Sequence, residues 1–166
     1  MVTPLEHLLG SAYPFLEKIC AFLEKDCIDV SAFELDHICY RVETIARYAE
    51  LKAQLDSLGS LLSEAMIGGR PISTYKLFQP LVFGERIIHL LELPSPKASS
   101  FYPEGWEHVE FVIDTDFEAF ISKYPSIAFD LSAINKPVNA DISINYEGCA
   151  VKFHRHHLEY VIKYLD

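Results

Sequence analysis

Two similar segments, one in each half of the chain, constrain the fold more than any other feature. FELDHICYRVE covers residues 33–43, and EGWEHVEFVID covers residues 104–114. Each has the pattern of a β-strand in which one histidine, His37 or His108, is followed by an apolar residue, a variable residue and an aromatic residue. A helical pattern and three further strand candidates follow each segment. The chain is therefore predicted to repeat one order of elements: strand, helix, strand, strand, strand.

The remaining patterns place these repeats within one α+β domain. Apolar residues at helical spacing predict two N-terminal helices separated near Pro14. Thr44 is expected to cap the next helix, and Gly68 and Gly69 to form a turn. The predicted divisions of this single domain (1–166) are N-terminal helices at 1–30, a first module at 33–94, a second module at 106–154 and a C-terminal helix at 157–166. In the first module the later strand candidates are LLSEAMI, PISTYKLF and RIIHLLEL, and QPLVFGE is expected to connect the last two. In the second module they are SIAFDL, ADISINY and CAVKFH.

Charge and composition exclude several classes of function. The formal net charge is -10, so an acidic surface would repel nucleic acid and anionic membranes. No apolar run approaches the ~20 residues that span a bilayer, and no secretory signal is evident at the N-terminus. The four cysteines are scattered without a Cys-x-x-Cys pair, which favours buried free thiols in a reducing cytoplasm.

The alternation of side chains along the strands suggests a metal site. If helices cover one face of a curved sheet, then His37, Glu92 and His108 point to the other face, and Glu110 or His154 can join them. Two imidazoles and one carboxylate are a known ligand set for non-haem Fe(II), and also for zinc or manganese. The competing interpretation for each histidine alone is a core residue bonded to the backbone.

ELDHICYRV, LLELPSPK and EGWEHVEFVI resemble the bacterial YecM family, within the vicinal oxygen chelate superfamily of glyoxalase I, extradiol dioxygenases and bleomycin-resistance proteins. The resemblance implies two βαβββ modules forming a cup-shaped sheet, preceded by extra N-terminal helices. It also implies metal ligands on the first and last strands of each module, where His37, Glu92 and His108 match. The fourth ligand is usually Glu; Lys152 lies near that spacing here, and His154 follows two residues later.

The resemblance implies a divalent metal held by His37, Glu92 and His108, and His154 is the candidate fourth ligand from its place on the last strand. The expected ion is Fe, Zn, Mn or Ni. The protein is expected to act on a small oxygen-bearing substrate by isomerase or oxygenase chemistry. Glu110 is the candidate residue for moving a proton. Arg41, Tyr75 and Lys152 are the candidate substrate contacts. Two alternatives remain open: a binding module that sequesters a small molecule without metal, and a structural protein. The expected partner is a small molecule, with no nucleic acid or membrane, in a cytoplasmic monomer or homodimer.

Overall fold

The computed structural model describes residues 2–98 and 101–164. Within them, the chain forms five helices and seven strands. In order they are α1 (Pro4–Leu9), α2 (Tyr13–Lys25), β1 (Glu34–Arg41), α3 (Ile45–Leu55), β2 (Gly59–Ile67), β3 (Arg70–Phe83), β4 (Arg86–Pro94), β5 (Gly105–Val112), α4 (Phe117–Ser122), β6 (Asp141–Tyr146), β7 (Cys149–His154) and α5 (Leu158–Tyr164). No described helix is long and apolar enough to cross a membrane.

All seven strands belong to one open mixed sheet, in the order β2-β3-β4-β1-β5-β7-β6. The first strands of the two repeats, β1 and β5, are antiparallel neighbours at the centre. Each has a parallel partner, β4 beside β1 and β7 beside β5. The two halves are therefore related by a pseudo-twofold axis between β1 and β5. The predicted α+β fold is confirmed.

Local sequence signals set where the elements begin. The side chain of Thr3 accepts from the backbone N–H of Glu6, whose carboxylate accepts from Thr3, which makes a capping box at α1. Thr44 caps α3 as expected, and Asp116 caps α4. Gly68 and Gly69 both have positive φ and join β2 to β3 in a tight turn.

The structure differs from the sequence prediction in two segments. SIAFDL forms only an isolated bridge, from Asp130 to Ser143, because the Asp130 carboxylate accepts from the Ser132 N–H and bends the chain directly afterwards. QPLVF, expected to be a connection, continues β3 across a register shift. The C-terminal helix is described only to Tyr164; residues 165 and 166 of the predicted range lie outside the described residues.

The two faces of the sheet differ in chemistry. On one face, helices cover apolar side chains: Phe120 of α4 contacts Phe33, Phe129 and Phe153. The opposite face carries the buried polar side chains of the central strands, including His37, His108 and Glu110. We call this second face the polar face.

Candidate metal centre

Four side chains converge on the polar face, and we call them the cluster: His37, Glu92, His108 and Glu110. One ligand atom from each lies within 4.8 Å of all the others. The His37 Nε2 atom is 3.6 Å from Glu92 Oε2 and 3.4 Å from Glu110 Oε1. The His108 Nε2 atom is 3.7 Å and 3.2 Å from the same two oxygens. This is a possible metal-binding group of two imidazoles and two carboxylates.

Strand pairing brings the four residues together. His37 of β1 lies opposite Glu110 of β5. Cys39, two residues after His37, lies between His108 of β5 and Glu92 of β4. Residues two apart on a strand share a face, so both histidines and both glutamates project from the polar face. His37 is fully buried, and the His108 and Glu110 side chains are 6% and 5% exposed.

A β-bulge precedes each histidine and explains its orientation. The pairing of β1 with β5 skips Asp36 at one point and Glu107 at another. Asp36 Oδ2 lies 2.9 Å from His37 Nδ1, and Glu107 Oε2 lies 2.6 Å from His108 Nδ1. Because a carboxylate can only accept, each Nδ1 donates a proton and each Nε2 is left facing the cluster. This is the carboxylate–histidine arrangement that orients metal ligands in proteins.

The electrostatics of the cluster keep its groups charged without a metal. Burial opposes the charge on His37, but the Glu110 and Glu92 carboxylates outweigh burial and raise its pKa well above the ordinary value. Burial likewise opposes ionisation of Glu110, yet Lys152 and His37 lower its pKa well below the usual range. For Glu107, burial opposes ionisation, but the hydrogen bond and charge of His108, together with the charges of Lys152 and Arg41, lower the pKa to about 2. A divalent cation could replace the protons on the imidazoles and neutralise the same carboxylates.

The two modules carry different residue types at positions that the pseudo-twofold axis makes equivalent. Glu92 of β4 pairs with Cys39, two residues after His37. Lys152 of β7 pairs with Glu110, two residues after His108. Lys152 is therefore the counterpart of Glu92, and Glu110 is the counterpart of Cys39. The second carboxylate of the cluster comes from a first strand, whereas a lysine occupies the symmetric position on the last strand.

His154 is buried but lies outside the cluster. Its Nε2 is 3.4 Å from Asp36 Oδ2, and its Nδ1 is 3.1 Å from Asn139 Oδ1. It forms a second possible metal-ligand group with Asp36 and His37. Glu110 is the fourth side chain of the cluster, whereas the sequence prediction named His154 as the fourth ligand.

The three predicted substrate contacts have different environments. The Lys152 Nζ atom is 3.0 Å from Glu110 Oε1, at the edge of the cluster. Arg41 lies on the polar face near Glu107, with 3.9 Å between Nη1 and Oε1. Tyr75 is fully buried on the helix-covered face, where its hydroxyl donates to Lys52 O and Asp56 Oδ1. Tyr75 therefore lies away from the cluster, and its hydroxyl anchors α3.

A cavity of about 190 Å³ adjoins the cluster on the polar face. Glu92, Glu110 and Lys152 line its polar side. Leu158, Val161 and Ile162 of α5 line it opposite, so this helix partly closes the cavity. The backbone N–H of Leu158 also donates to Asp36 Oδ2 at 2.9 Å, which ties α5 to the carboxylate behind His37.

Sequence reasoning did not identify Asp36 and Glu107 as part of the site. Strict alternation places each on the opposite face from the histidine that follows it, and the bulges reverse that expectation. A signal was nevertheless present, since an acidic residue directly precedes the histidine in both segments, as Asp36-His37 and Glu107-His108.

Solved structures with this fold include enzymes of the vicinal oxygen chelate class. Methylmalonyl-CoA epimerase from Streptomyces coelicolor superposes with a TM-score of 0.54 at 12% identity, over 74% of this chain and 96% of that one. At this identity the likeness shows the fold alone. The structural-genomics protein EC4020 is more similar, with a TM-score of 0.77 at 26% identity over 90% of this chain and 86% of that one.

The sequence comparisons identify the family. The profile described as YecM protein matches residues 4–145, and the chain belongs to this family. Protein YecM of Escherichia coli K12 is 32% identical over 103 residues, which are 62% of this chain and 55% of that protein. An uncharacterised protein of Haemophilus influenzae Rd is 33% identical over 99 residues, 60% of this chain and 52% of that protein. The aligned part of the chain thus spans about half the length of these curated relatives.

Proposed function

We propose that this protein binds a divalent metal ion through His37, Glu92, His108 and Glu110, and uses it to act on a small oxygen-bearing molecule in the adjoining cavity. The Nε2 atoms of both histidines carry the proposal. They are buried without a hydrogen-bond partner among the described residues, although carboxylate oxygens lie nearby. Unpartnered buried donors or acceptors are costly, so their convergence calls for an explanation.

The distances suit a common ion. Two donors that each lie ~2.1 Å from one ion are about 3.0 Å apart at right angles and about 3.4 Å apart in a tetrahedron. The four cluster contacts between imidazole and carboxylate span 3.2 to 3.7 Å. Small side-chain movements would therefore bring all four donors to bonding distance. Imidazole and carboxylate ligands are compatible with Fe(II), Zn, Mn or Ni.

The residues around the cluster support chemistry on a polarised oxygen. A bound divalent ion would withdraw electron density from a substrate oxygen and stabilise negative charge that develops on it. Lys152 extends an ammonium group beside Glu110, where it can donate to a second substrate oxygen. We propose Glu110 as the fourth ligand, since its Oε1 faces both imidazoles, in place of His154 and of the proton-transfer role suggested by the sequence. The epimerase neighbour makes isomerase chemistry the first reaction type to assay.

One observation favours a metal-free binding module as the second candidate. Lys152 already pairs with Glu110, and the raised pKa values of His37 and His108 let them balance the carboxylates as imidazolium ions. In that case the 190 Å³ cavity, with the apolar side chains of α5, would hold a small molecule without catalysis.

All four cysteines are free, which agrees with the proposed cytoplasmic location.

Metal content in matched variants tests the proposal. The untagged protein and a His37→Ala/His108→Ala variant are purified in parallel, reloaded with each candidate ion and analysed for metal. A His89→Ala variant is the control, because His89 is exposed on β4 outside the cluster. We expect about one ion per chain in the parent and control, and none in a folded double variant. Absence of metal from the reloaded parent would leave the binding module as the better account.

A further inference from the structure

A group of cationic side chains, separate from the cluster, lies beside it on the polar face. Arg41, Arg70 and Lys97 line a hollow of about 200 Å³ together with Tyr102, and Glu107 is its only acidic residue among those described. The whole chain has a formal net charge of -10, so three cations beside one carboxylate locally reverse its sign. Such a concave cationic region concentrates anions.

Both guanidinium groups are already held in position. The Arg41 Nε atom donates to Pro103 O at 3.1 Å, and its guanidinium stacks 4.7 Å from the centre of the Tyr102 ring. Arg70 Nη1 donates to Ser95 O and to the Tyr102 hydroxyl, both at 2.8 Å. Tyr102 thus contacts both arginines. Little further side-chain ordering would be needed for a ligand to bind.

These fixed groups retain unused donors. Neither Nη atom of Arg41 makes a hydrogen bond to a described residue. The same holds for the Nη2 atom of Arg70. The 3.9 Å contact from Arg41 to Glu107 is too long for one. Lys97 is exposed at the rim. Planar N–H forks beside an ammonium group suit a phosphate or carboxylate group.

The hollow is close to the cluster. Arg41 follows Cys39 by two residues on β1, and Cys39 lies between His108 and Glu92. Two residues of a strand advance about 6.6 Å. Glu107 connects the two places, since one oxygen is 2.6 Å from His108 Nδ1 and the other faces Arg41. The hollow and the cluster are therefore close enough for one small molecule to contact both.

We propose that Arg41, Arg70 and Lys97 form an anion-binding subsite that receives a phosphate or carboxylate group of the molecule bound at the cluster. The subsite itself depends only on the hollow and its charges. Its link to a ligand at the cluster rests on the proposed function. The two parts are therefore tested separately.

Binding of inorganic phosphate to metal-free protein tests the subsite. We expect saturable binding by calorimetry, weakened about tenfold by Arg70→Gln and at least threefold by Lys97→Gln. Lys123→Gln, an exposed change on the end of α4, is the control and should leave the affinity unchanged. Lys97 is exposed, so its variant reports on binding even if Arg70→Gln folds poorly. No saturable binding, or equal weakening in all three variants, would overturn the subsite.

Binding of 3-phosphoglycerate tests the link, because it carries vicinal oxygens as well as a phosphate. Ethyl phosphate is the matched probe without them. We expect metal loading to tighten 3-phosphoglycerate binding at least fivefold and to leave ethyl phosphate unchanged. Equal affinities with and without bound metal would show that the subsite takes a free anion, which overturns the link. Failure of the protein to load metal would instead contradict the proposed function and leave the phosphate result standing.

Discussion

Lys152 occupies, on the last strand of the second module, the position that Glu92 occupies on the last strand of the first. Each pairs with the residue two places after the histidine of its module. The Lys152 ammonium lies 3.0 Å from Glu110 Oε1, the oxygen that also faces both imidazoles. The positive charge of a lysine in this position disfavours binding of a metal cation at the cluster, and it stabilises the carboxylates when no metal is bound.

Replacing Lys152 with Met should tighten metal binding. The change removes a positive charge that competes for Glu110, so we expect the metal dissociation constant to fall about tenfold. Lys136→Met is a matched control, because Lys136 lines the same cavity but pairs with Asp141. Competition titration with a chelating dye measures both. Weaker binding in Lys152→Met than in the control would show that the ammonium does not oppose the ion.

Removing the carboxylate behind His108 should weaken the site without removing a ligand. Glu107→Gln can no longer accept a charge-assisted hydrogen bond from Nδ1, and we expect metal affinity to fall about 10- to 100-fold. Glu118→Gln, an exposed change on α4, should have no effect. If titration gives the two variants the same affinity, Glu107 does not orient His108.

Metal should stabilise the protein more strongly as pH rises. The raised pKa values of His37 and His108 mean that their ion pairs stabilise the metal-free fold below the unfolded value of about 6.5, and that this stability is lost as pH rises through the folded values. The lowered pKa values of Glu92 and Glu110 act in the opposite sense, and their contribution is lost only at strongly acidic pH.

Metal binding requires deprotonated imidazoles. The bound ion therefore supplies the positive charge, and the stabilisation, that the metal-free protein loses when the two histidines lose their protons. We expect the metal-induced increase in Tm to be larger at about pH 8.5 than at about pH 6. Thermal unfolding with and without a chelator measures this difference. An increase that is constant across the range, or that shrinks toward alkaline pH, is inconsistent with displacement of protons from the two histidines.

Tyr75→Phe should reduce stability and leave the metal site intact. The hydroxyl donates to Lys52 O and Asp56 Oδ1 beneath α3, so its loss should lower the free energy of unfolding by about 1 to 2 kcal/mol. Tyr13→Phe is the control, because Tyr13 is 51% exposed. Denaturant titration measures stability and dye competition measures metal affinity. A change in metal affinity confined to Tyr75→Phe would show that the Tyr75 hydroxyl influences the cluster.

Most of the fold followed from periodicity and turn residues in the sequence. The apolar strand patterns at 35–42 and 86–93 located β1 and β4 to within one residue at either end, and Thr44 correctly marked the start of α3. The bridge at Asp130 could not be foreseen, because pattern alone does not show that an aspartate will bend the chain after one paired residue. Nor does it show that β3 continues through Pro80, since a register shift accommodates that proline.

The cluster was predictable only where strands are regular. Alternation placed His37, Glu92 and His108 on one face, as the structure has them. It could not choose between Glu110 and His154, because that choice depends on how β5 and β7 sit beside β1. It also could not recover Asp36 and Glu107, whose positions depend on bulges in the pairing of two distant strands.

The X-ray absorption spectrum of the metal-loaded protein at the metal edge would test the four-residue site, because it counts imidazole ligands and identifies sulfur ligands. We expect two imidazoles, from His37 and His108, with oxygen ligands completing the coordination and no sulfur. A spectrum with fewer than two imidazoles, with a third that His154 would have to supply, or with a sulfur from Cys39 would contradict the four-residue site.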